Sequence, residues 1–484
     1  MNARPVSPTP ADRRGPLRSR RQLLFDTALG FGGVALWSLL SSCSPVPPSA
    51  RARAARGKSV IFLYMEGGPS AIDTFDHKPL LAQRAGEEYS FPDGVQGPLW
   101  PSPFSFRPAG GTGTPVADIF PHLAGSIDDI ALIHSVTSNQ FDHGAANFLM
   151  NTGTAMPGRP SMGAWTVYGL GTECDDLPGY IVLGADRIPA GGMDVLGCGF
   201  LSAKYQSTVI DPGPLPVANL APLEPHESLQ RAKLDLVAAL DRQDAARAAA
   251  DESLEAVIAS HEMAFRMQDS VPQVLDLSRE TTATLDLYGI RQHETETFGT
   301  QCLRACRLVE RGVRFVQLLS PNVPNNDRWD QHGNLDEGHR RNALAVDRPV
   351  AGLLRDLQAR GLWDSTIVIF GGEFGRLPFG FQALPGVSPG RNHNPRGFTM
   401  WLAGGGVRPG IRYGATDEFG YRAVQRPVEV HDVHATVLHL LGIDHEQLTF
   451  RHGGRDMRLT DVYGRVIDDL LDDSVRPSSA APAV

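Results

Sequence analysis

Five acidic and imidazole side chains lie in loops next to short apolar runs, and they are Glu66, Asp330, His332, Glu373 and His393. Zinc and the hard divalent cations bind deprotonated carboxylates and neutral imidazoles, usually from several loops that a rigid sheet holds in place. A single acidic residue after a strand is often only a helix cap. The ordered series instead predicts a metal site with one or two divalent ions, which could be Zn, Mn, Mg or Ca.

The apolar runs beside these residues have the length and composition of buried strands. They span residues 59–65, 313–319, 366–370 and 398–402. In open α/β sheets, ligands bind outside the carboxyl ends of the strands. We therefore expect the five side chains to be gathered at one edge of a common sheet.

Helical patterns lie between these runs, notably at 338–360 and 431–442. Strands that alternate with helices predict a mostly parallel sheet covered on both faces. The stretch 224–311 is rich in Ala, Leu and charged residues and has few turn signals, so we expect two or three inserted helices there. The predicted fold class is therefore α/β with a helical insertion.

Residues 1–43 have the layout of an export signal. Arg20 and Arg21 precede the apolar, Gly-rich run 28–40, as in a twin-arginine signal. This run is shorter than the roughly 20 residues that a membrane-spanning helix needs, which favours cleavage over an uncleaved anchor. The four residues that end at Cys43 resemble a lipobox, which would attach a lipid to that cysteine and hold the protein at a membrane. We expect export to the periplasm or the cell envelope.

Three further parts follow the export signal. Residues 44–57 are rich in Pro, Ala, Ser and Arg and form a predicted tether. Residues 58–470 form the predicted α/β domain, which contains the insertion at about 224–311. Residues 471–484 are predicted to be a disordered tail.

The net charge of the chain indicates whether it can bind nucleic acid. The chain has a net charge of −9, and its first 42 residues contain six Arg and only two acidic residues, so the predicted mature body is more acidic still. Binding to nucleic acid requires a basic surface that neutralises phosphates. We therefore expect no nucleic-acid partner.

Several segments of the chain match a known family. They are FLYMEGGPSAIDTFDHKP at 62–79, HGAANFLMNTG at 143–153, WDQHGN at 329–334, GGEFGR at 371–376, GRNHNP at 390–395 and HDVHATVLHLLGI at 431–443. In these segments the chain resembles the domain of unknown function 1501 family, a secreted, sulfatase-like branch of the alkaline phosphatase superfamily. The resemblance implies an alkaline-phosphatase-like three-layer α/β/α sandwich.

The superfamily's metal ligands can be carried over one position at a time. Its acidic residue after the first strand is matched by Glu66, and its later Asp and His pair by Asp330 and His332. Its Asp-His-Gly after the next strand appears here as Glu373 followed by Phe and Gly, so a carboxylate is kept and an imidazole is lost. Its final His is matched by His393.

The nucleophile is the main departure from that pattern. Sulfatases carry Cys or Ser at the start of a helix, where backbone N–H groups and the helix dipole favour an anionic substrate. Aligning the Thr-Gly that ends this helix puts His143 at the nucleophile position. His143 could attack phosphorus, ligate metal or bind the substrate anion, and the attacking hydroxyl could instead come from Ser70, Thr137 or Ser138.

Arg376 and Arg391 lie in the matched segments near the predicted ligands. A guanidinium group matches phosphate or sulfate oxygens bidentately, so both are candidate anion-binding residues. An ordinary ion pair is an equally good interpretation of each.

Three more histidines, His431, His434 and His439, lie together in the predicted helix at 431–442. Because they lie on a helix-like segment, we interpret them as structural.

The primary functional hypothesis is a metal-dependent hydrolase of phosphate or sulfate esters, with a small-molecule or glycan ester as substrate. The missing nucleophile and the missing imidazole support a second hypothesis, in which the domain has lost catalysis and serves as a binding or scaffold protein of the cell envelope. A third is a mutase or lyase, since a shared fold does not fix the reaction.

Overall fold

The computed structural model of the chain describes residues 56–184, 188–211, 226–247, 252–381 and 386–476. The predicted export signal, its Cys43 and nearly all of the predicted tether lie outside the described residues. Within the described ranges, no helix has the length and apolar character needed to cross a membrane.

A central sheet organises the described part of the chain. Its strands are β1 (Ser59–Tyr64), β2 (Ile130–Thr137), β3 (Tyr180–Leu183), β4 (Thr208–Ile210), β5 (Phe315–Leu319), β6 (Thr366–Gly371), β7 (Phe398–Gly404), β8 (Arg412–Tyr413) and β9 (Val428–Glu429). The spatial order is β8-β2-β7-β6-β1-β5-β3-β4, and β9 also pairs with β2. All these strands run in one direction except β7, which is antiparallel to both of its neighbours. The prediction of a mostly parallel α/β sheet is confirmed.

The strands at the centre of the sheet are buried on both faces. Every residue of β1 and β6 is buried, although successive side chains point to opposite faces. Elements on each side must therefore cover the sheet. The register runs from Ser59 beside Thr366 to Tyr64 beside Gly371, so the carboxyl ends of β1 and β6 lie level with each other.

Helices separate and cover the strands. They are α1 (Pro79–Gln83), α2 (His143–Thr152), α3 (Met162–Leu170), α4 (Glu227–Arg247), α5 (Glu252–Leu275), α6 (Thr282–Leu287), α7 (His293–Glu310), α8 (Leu335–Ala359) and α9 (Val430–Leu440). The predicted helices at 338–360 and 431–442 correspond to α8 and α9. Helix α8 buries one apolar side, whereas every residue of α9 is buried.

The insertion at 224–311 contains more helices than predicted. The described residues show four of them there, α4 to α7, where the sequence indicated two or three. Val271 of α5 and Phe298 and Cys302 of α7 are buried in the main core. At least these two helices therefore pack as part of the central fold.

The ordered chain also extends past the predicted start of the tail at 471. Leu471 and Val475 are buried, and the Val475 carbonyl accepts a hydrogen bond from His439 Nε2 (3.1 Å). The prediction of a tail from 471 onward is therefore wrong for residues 471–476, because apolar burial holds them on the fold. Residues 477–484 lie outside the described part.

Candidate metal centre

The loops that carry the predicted ligands leave neighbouring parallel strands. In the sheet, β1 lies between β6 and β5, and all three end at the same edge. Asp330 lies in the loop after β5, and Glu373 follows β6 within two residues. A short hairpin pairs Arg376 with His393 and brings the last of the predicted histidines to this edge.

Asp330 is the centre of a group of imidazoles that we call the Asp330 cluster: His143, Asp330, His332 and His393. The Nε2 atoms of His332 and His393 each lie 3.0 Å from Asp330 Oδ1, and Nε2 of His143 lies 3.1 Å from Oδ2. Ligand atoms of His143, Asp330 and His393 all lie within 4.8 Å of one another, close enough to share one metal ion.

Each imidazole of the cluster is held from behind by a hydrogen-bond acceptor at Nδ1. The pairs are His143 with Glu373 Oε1 (2.7 Å), His332 with Asn392 Oδ1 (2.9 Å) and His393 with the Phe141 carbonyl (2.7 Å). A neutral imidazole that donates from Nδ1 keeps its lone pair on Nε2. All three Nε2 atoms therefore face Asp330 and would be free to bind a metal once they carry no proton, and an outer partner orients each ring.

Helix α2 places His143 at its first position. The preceding residue, Asp142, caps the helix, because its carboxylate accepts hydrogen bonds from the Gly144 and Ala145 amides at 3.0 and 3.5 Å. The positive end of the helix dipole thus lies at His143, next to the cluster. This agrees with the expected helix start, and the side chain is turned toward Asp330.

Glu373 was predicted as a metal ligand, but its carboxylate contacts the Asp330 cluster through Nδ1 of His143 and not through a metal-facing atom. Its carboxylate accepts from His143 Nδ1 and from the Gly67 amide (2.9 Å), and its side chain has no solvent exposure. The loop geometry after β6 turns this carboxylate toward the backbone of the first loop. Glu373 therefore orients His143 and does not share the space around Asp330.

Glu66 is likewise separate from the cluster. Its carboxylate forms an ion pair with Arg328 and accepts a hydrogen bond from the Ala190 amide (2.9 Å). The other oxygen, Oε2, is buried and has, among the described residues, the Arg328 ion pair but no hydrogen bond of proper geometry, and Glu66 lines the same cleft as His143 and Asp330. A role of Glu66 as a metal ligand stays a prediction. The structure thus gathers Asp330, His332 and His393 of the five predicted ligands, and adds His143.

The predicted anion-binding arginines are buried structural groups in this fold, which corrects that expectation. Arg376 is almost fully buried and donates to the Gly68 carbonyl (2.9 Å) and to Asp330 Oδ1 (2.6 Å), which fixes the central carboxylate. Arg391 is fully buried and forms a two-pronged ion pair with Asp73 at 2.7 and 3.1 Å. Buried guanidinium groups with these partners are not presented to a substrate.

The candidate hydroxyl nucleophiles do not face Asp330. Ser70 has no solvent exposure, its hydroxyl donates to Asp73 Oδ2 (2.5 Å), and its amide donates to His339 Nε2 (3.1 Å). Ser70 is therefore a buried structural residue, contrary to the expectation of a catalytic role. Thr137 donates to the Val428 carbonyl (3.3 Å), and Ser138 contacts Gln140 in its own loop.

Comparison with protein families now identifies the chain's family. The family described as "Protein of unknown function (DUF1501)" matches residues 57–471. The chain belongs to this family. No curated protein matches the DUF1501 chain.

Solved structures similar to this DUF1501 chain include a sulfatase, an alkaline phosphatase and a phosphonate monoester hydrolase. The PsFucS1 sulfatase from Pseudoalteromonas sp. shares 12% identity over 92% of this chain and 76% of its own, with a TM-score of 0.38. The alkaline phosphatase from the Antarctic bacterium TAB5 shares 9% identity over 80% of this chain and 98% of its own, with a TM-score of 0.34. The phosphonate monoester hydrolase SpPMH from Silicibacter pomeroyi shares 12% identity over 75% and 73%, with a TM-score of 0.36.

Electrostatics within the cluster of the DUF1501 chain favour bound positive charge. Burial opposes ionisation of Asp330, but its close contacts with the three imidazoles and the nearby Arg376 charge lower its pKa far below the usual range. Burial also opposes protonation of His143, yet its contacts with the carboxylates of Asp330 and Glu373 raise its pKa to about 9. Burial lowers the pKa of His393, and its bond to Asp330 offsets this only in part.

A cleft of about 250 Å³ opens beside His143 and Asp330, and its walls include Glu66 and Arg328. Burial lowers the pKa of Arg328 to about 10, against the charges of Glu373 and Tyr64 that raise it, so this guanidinium remains charged at neutral pH. Sequence reasoning missed Arg328. The signal was its position two residues before Asp330 in the same loop.

Proposed function

We propose that this DUF1501 protein is a metal-dependent hydrolase of phosphate or sulfate esters. One observation carries the proposal: three imidazoles with outer acceptors at Nδ1 direct Nε2 at a single carboxylate. Because Nε2 and a carboxylate oxygen are metal ligands, this arrangement is built to hold a cation. Its position at the carboxyl edge of a parallel sheet is where such folds bind ligands.

The side chains present fit a divalent ion. Nε2 of His143 is buried and, among the described residues, has no hydrogen-bond partner of proper geometry, although Asp330 Oδ2 lies 3.1 Å away. An ion between His143, Asp330 and His393 would satisfy that atom. Imidazoles combined with one carboxylate favour Zn²⁺ or Mn²⁺ over Ca²⁺ and Mg²⁺, which prefer oxygen ligands.

The chain's own residues then have separate roles. A bound ion would supply Lewis-acid polarisation of the ester oxygen. Glu373 fixes the ring of His143, and Arg376 fixes the carboxylate of Asp330. The N-terminus of α2 and Arg328 favour an anionic ester group in the cleft. With both nitrogens of His143 facing carboxylates and Ser70 buried, we assign the attack to a water molecule.

Metal analysis combined with an ester assay tests the proposal. We expect purified protein to contain about one zinc or manganese ion per chain and to hydrolyse aryl phosphate or aryl sulfate esters, with activity lost on chelation and restored by metal. Asp330→Asn should lose both metal and activity. Activity that survives complete removal of metal would contradict the proposal. Fully metallated protein without hydrolysis would favour the binding or scaffold role instead.

We also propose export with lipid attachment at Cys43, supported by the twin-arginine-like segment and the lipobox-like sequence. Cell fractionation tests this separately from catalysis. The full-length protein should label with a fatty-acid probe and partition with membranes, and Cys43→Ser should do neither. Unlabelled wild-type protein in the cytoplasm would contradict it.

A further inference from the structure

A second and larger cavity, the Phe141 groove, opens on another side of the metal-site residues. It has a volume of about 630 Å³, and its walls include Phe141, Leu377, Val95, Ser138, Asn139 and Arg396. Pockets that bind small organic ligands typically enclose about 300–1,000 Å³. The groove is therefore large enough for a substrate group.

The Phe141 groove meets the cleft lined by Glu66 and Arg328 at the Asp330 cluster. His332 and His393 line the groove, whereas His143 and Asp330 line the cleft. When the phosphorus or sulfur atom of an ester lies at the cluster, its anionic oxygens and its alcohol part each need a binding region. The charged cleft suits the anionic oxygens, and the groove remains for the alcohol part.

We propose that the Phe141 groove binds the alcohol part of the ester and that this part contains a sugar ring. The inference rests on the proposed hydrolase function and specifies its substrate class. It assigns a binding role to residues outside the metal site.

The walls of the groove combine an apolar side with short polar groups. Phe141 is 71% exposed, which is unusual for a large aromatic side chain, and Val95 and Leu377 add apolar surface. Ser138 and Asn139 contribute a hydroxyl and an amide, which can both donate and accept hydrogen bonds. A sugar ring presents an apolar C–H face and hydroxyls around its edge, so it complements both kinds of wall.

An alkyl chain complements the groove less well. It would cover the hydroxyl of Ser138 and the amide of Asn139 without offering either a hydrogen bond, and uncompensated burial of polar groups is costly. It would also lie beside Arg396, whose guanidinium is partly exposed and pairs with Asp93 (3.0 Å). The polar wall therefore favours a hydroxylated ring over a lipid chain.

The position of Phe141 relative to the cluster is fixed through its main chain. The Phe141 carbonyl accepts from His393 Nδ1 at 2.7 Å, while the side chain extends into solvent. Phe141→Ala therefore removes the ring from the groove and keeps the contact that orients His393. Met156 is 70% exposed and lines neither cavity, so Met156→Ala is a matched control for removing an exposed apolar side chain.

The experiment uses metal-loaded full-length protein, with metal content and melting temperature recorded for each variant. Calorimetry measures binding of a panel of sulfated and phosphorylated hexoses, and steady-state kinetics compare these with methyl phosphate and methyl sulfate. We expect Phe141→Ala to weaken hexose-ester binding and raise KM about tenfold, the effect of losing one anchoring aromatic group. Methyl esters have no ring to place in the groove, so Phe141→Ala should reduce the preference for hexose esters over methyl esters, and Met156→Ala should keep the wild-type preference.

The outcomes separate this inference from the proposed function. Metallated wild type that turns over methyl esters but binds no hexose ester overturns the sugar assignment alone. Equal hexose-ester binding by wild type and Phe141→Ala overturns the assignment of the groove. Tighter binding of octyl phosphate than of any hexose ester would assign the groove to an alkyl chain and also overturn it. Protein that holds no metal and hydrolyses nothing contradicts the proposed function itself.

Discussion

Two sets of three histidines use the same side chain in opposite ways, and each set has members that contact one end of helix α2. At the start of the helix are the imidazoles of the Asp330 cluster. At its end are histidines of α9: Nε2 of His434 lies 2.8 Å from the Met150 carbonyl, and Nε2 of His431 lies 2.8 Å from the Gly153 carbonyl. The third, His439, donates to the Val475 carbonyl.

The direction of Nε2 distinguishes the two sets. In the cluster, acceptors occupy Nδ1 and the Nε2 atoms converge on a carboxylate. On α9, Nε2 faces a backbone carbonyl and must carry the proton, so it cannot bind a metal in that state. His431 and His434 instead satisfy carbonyls at the end of α2, which would otherwise lack partners. Close spacing of histidines in the sequence therefore does not indicate a metal site by itself.

Charge at the two ends differs as much as geometry does. Burial acts against protonation of both His143 and His434. At His143 the carboxylates of Asp330 and Glu373 outweigh it and raise the pKa to about 9. At His434 burial prevails, His431 adds to it, and the Met150 carbonyl offsets little, so the pKa falls to about 3. Neighbouring carboxylates thus decide whether a buried imidazole attracts or excludes positive charge.

Among changes that test the difference between the two sets of histidines, removal of the Glu373 carboxylate beside His143 Nδ1 should have the largest effect. We expect Glu373→Gln to lower affinity for zinc by about 10–100-fold, because a neutral amide orients the ring and supports its basicity less well. Competition with a chromophoric chelator measures the change.

Glu429→Gln is the matched control at the other set, since Glu429 Oε2 lies 4.0 Å from His431 Nδ1 and caps α9. It should cost some stability of that helix and leave zinc affinity unchanged. Equal losses of affinity in the two variants would show that the Glu373 effect is not specific to the cluster.

The raised pKa of His143 should make metal affinity depend on pH. In metal-free protein this imidazole is protonated below about pH 9, so a metal ion must displace one proton to bind. Apparent zinc affinity should therefore rise about tenfold for each pH unit up to about 9 and then level off. Calorimetry in buffers of different ionisation enthalpy should detect release of this proton. Affinity that is constant from pH 6.5 to 8.5 would contradict the assignment of His143 as a ligand.

The convergence of loops on one sheet edge could be predicted from sequence, because it follows from strand order and direction. The apolar runs before Glu66, Asp330 and Glu373 correspond to β1, β5 and β6, which are adjacent and parallel. Any side chain placed just after such strands is brought to the same edge. That general rule brings Asp330 and His332 to the edge, and the loop that enters the antiparallel strand β7 brings His393 there.

The distinction between a ligand and the residue behind it could not be predicted. Asp330 and Glu373 are both carboxylates after strands, and only side-chain direction separates them. Burial of Arg376 against backbone carbonyls depends on how three loops pack, which no local pattern encodes. Likewise, Glu66 meets Arg328 through a tertiary contact between residues 262 positions apart. Roles at this site are set by contacts distant in sequence.

The smallest expected effect concerns stability at the α9 end. His434→Ala leaves the Met150 carbonyl without its partner and should cost about 1–3 kcal/mol at pH 7.5. Because the folded pKa of His434 is about 3 and its unfolded value about 6.5, its contribution is complete above pH 6.5 and declines as the pH falls toward 3. The difference in free energy of unfolding between wild type and His434→Ala should therefore decrease by roughly 2 kcal/mol between pH 6.5 and pH 5.

His143→Ala in metal-free protein should show the opposite sign. The folded pKa of His143 is raised, so the stability it contributes is complete below about pH 6.5 and disappears as the pH rises through 9. Urea denaturation of wild type and both variants at pH 5, 6.5, 7.5 and 9 measures these differences. Parallel pH profiles for the two variants would mean that carboxylates do not set the two histidines apart. Profiles of opposite slope would instead show that the charge beside each imidazole causes the difference in pH dependence. His143 lies in helix α2 and His434 contacts the same helix, so the helix itself is common to both.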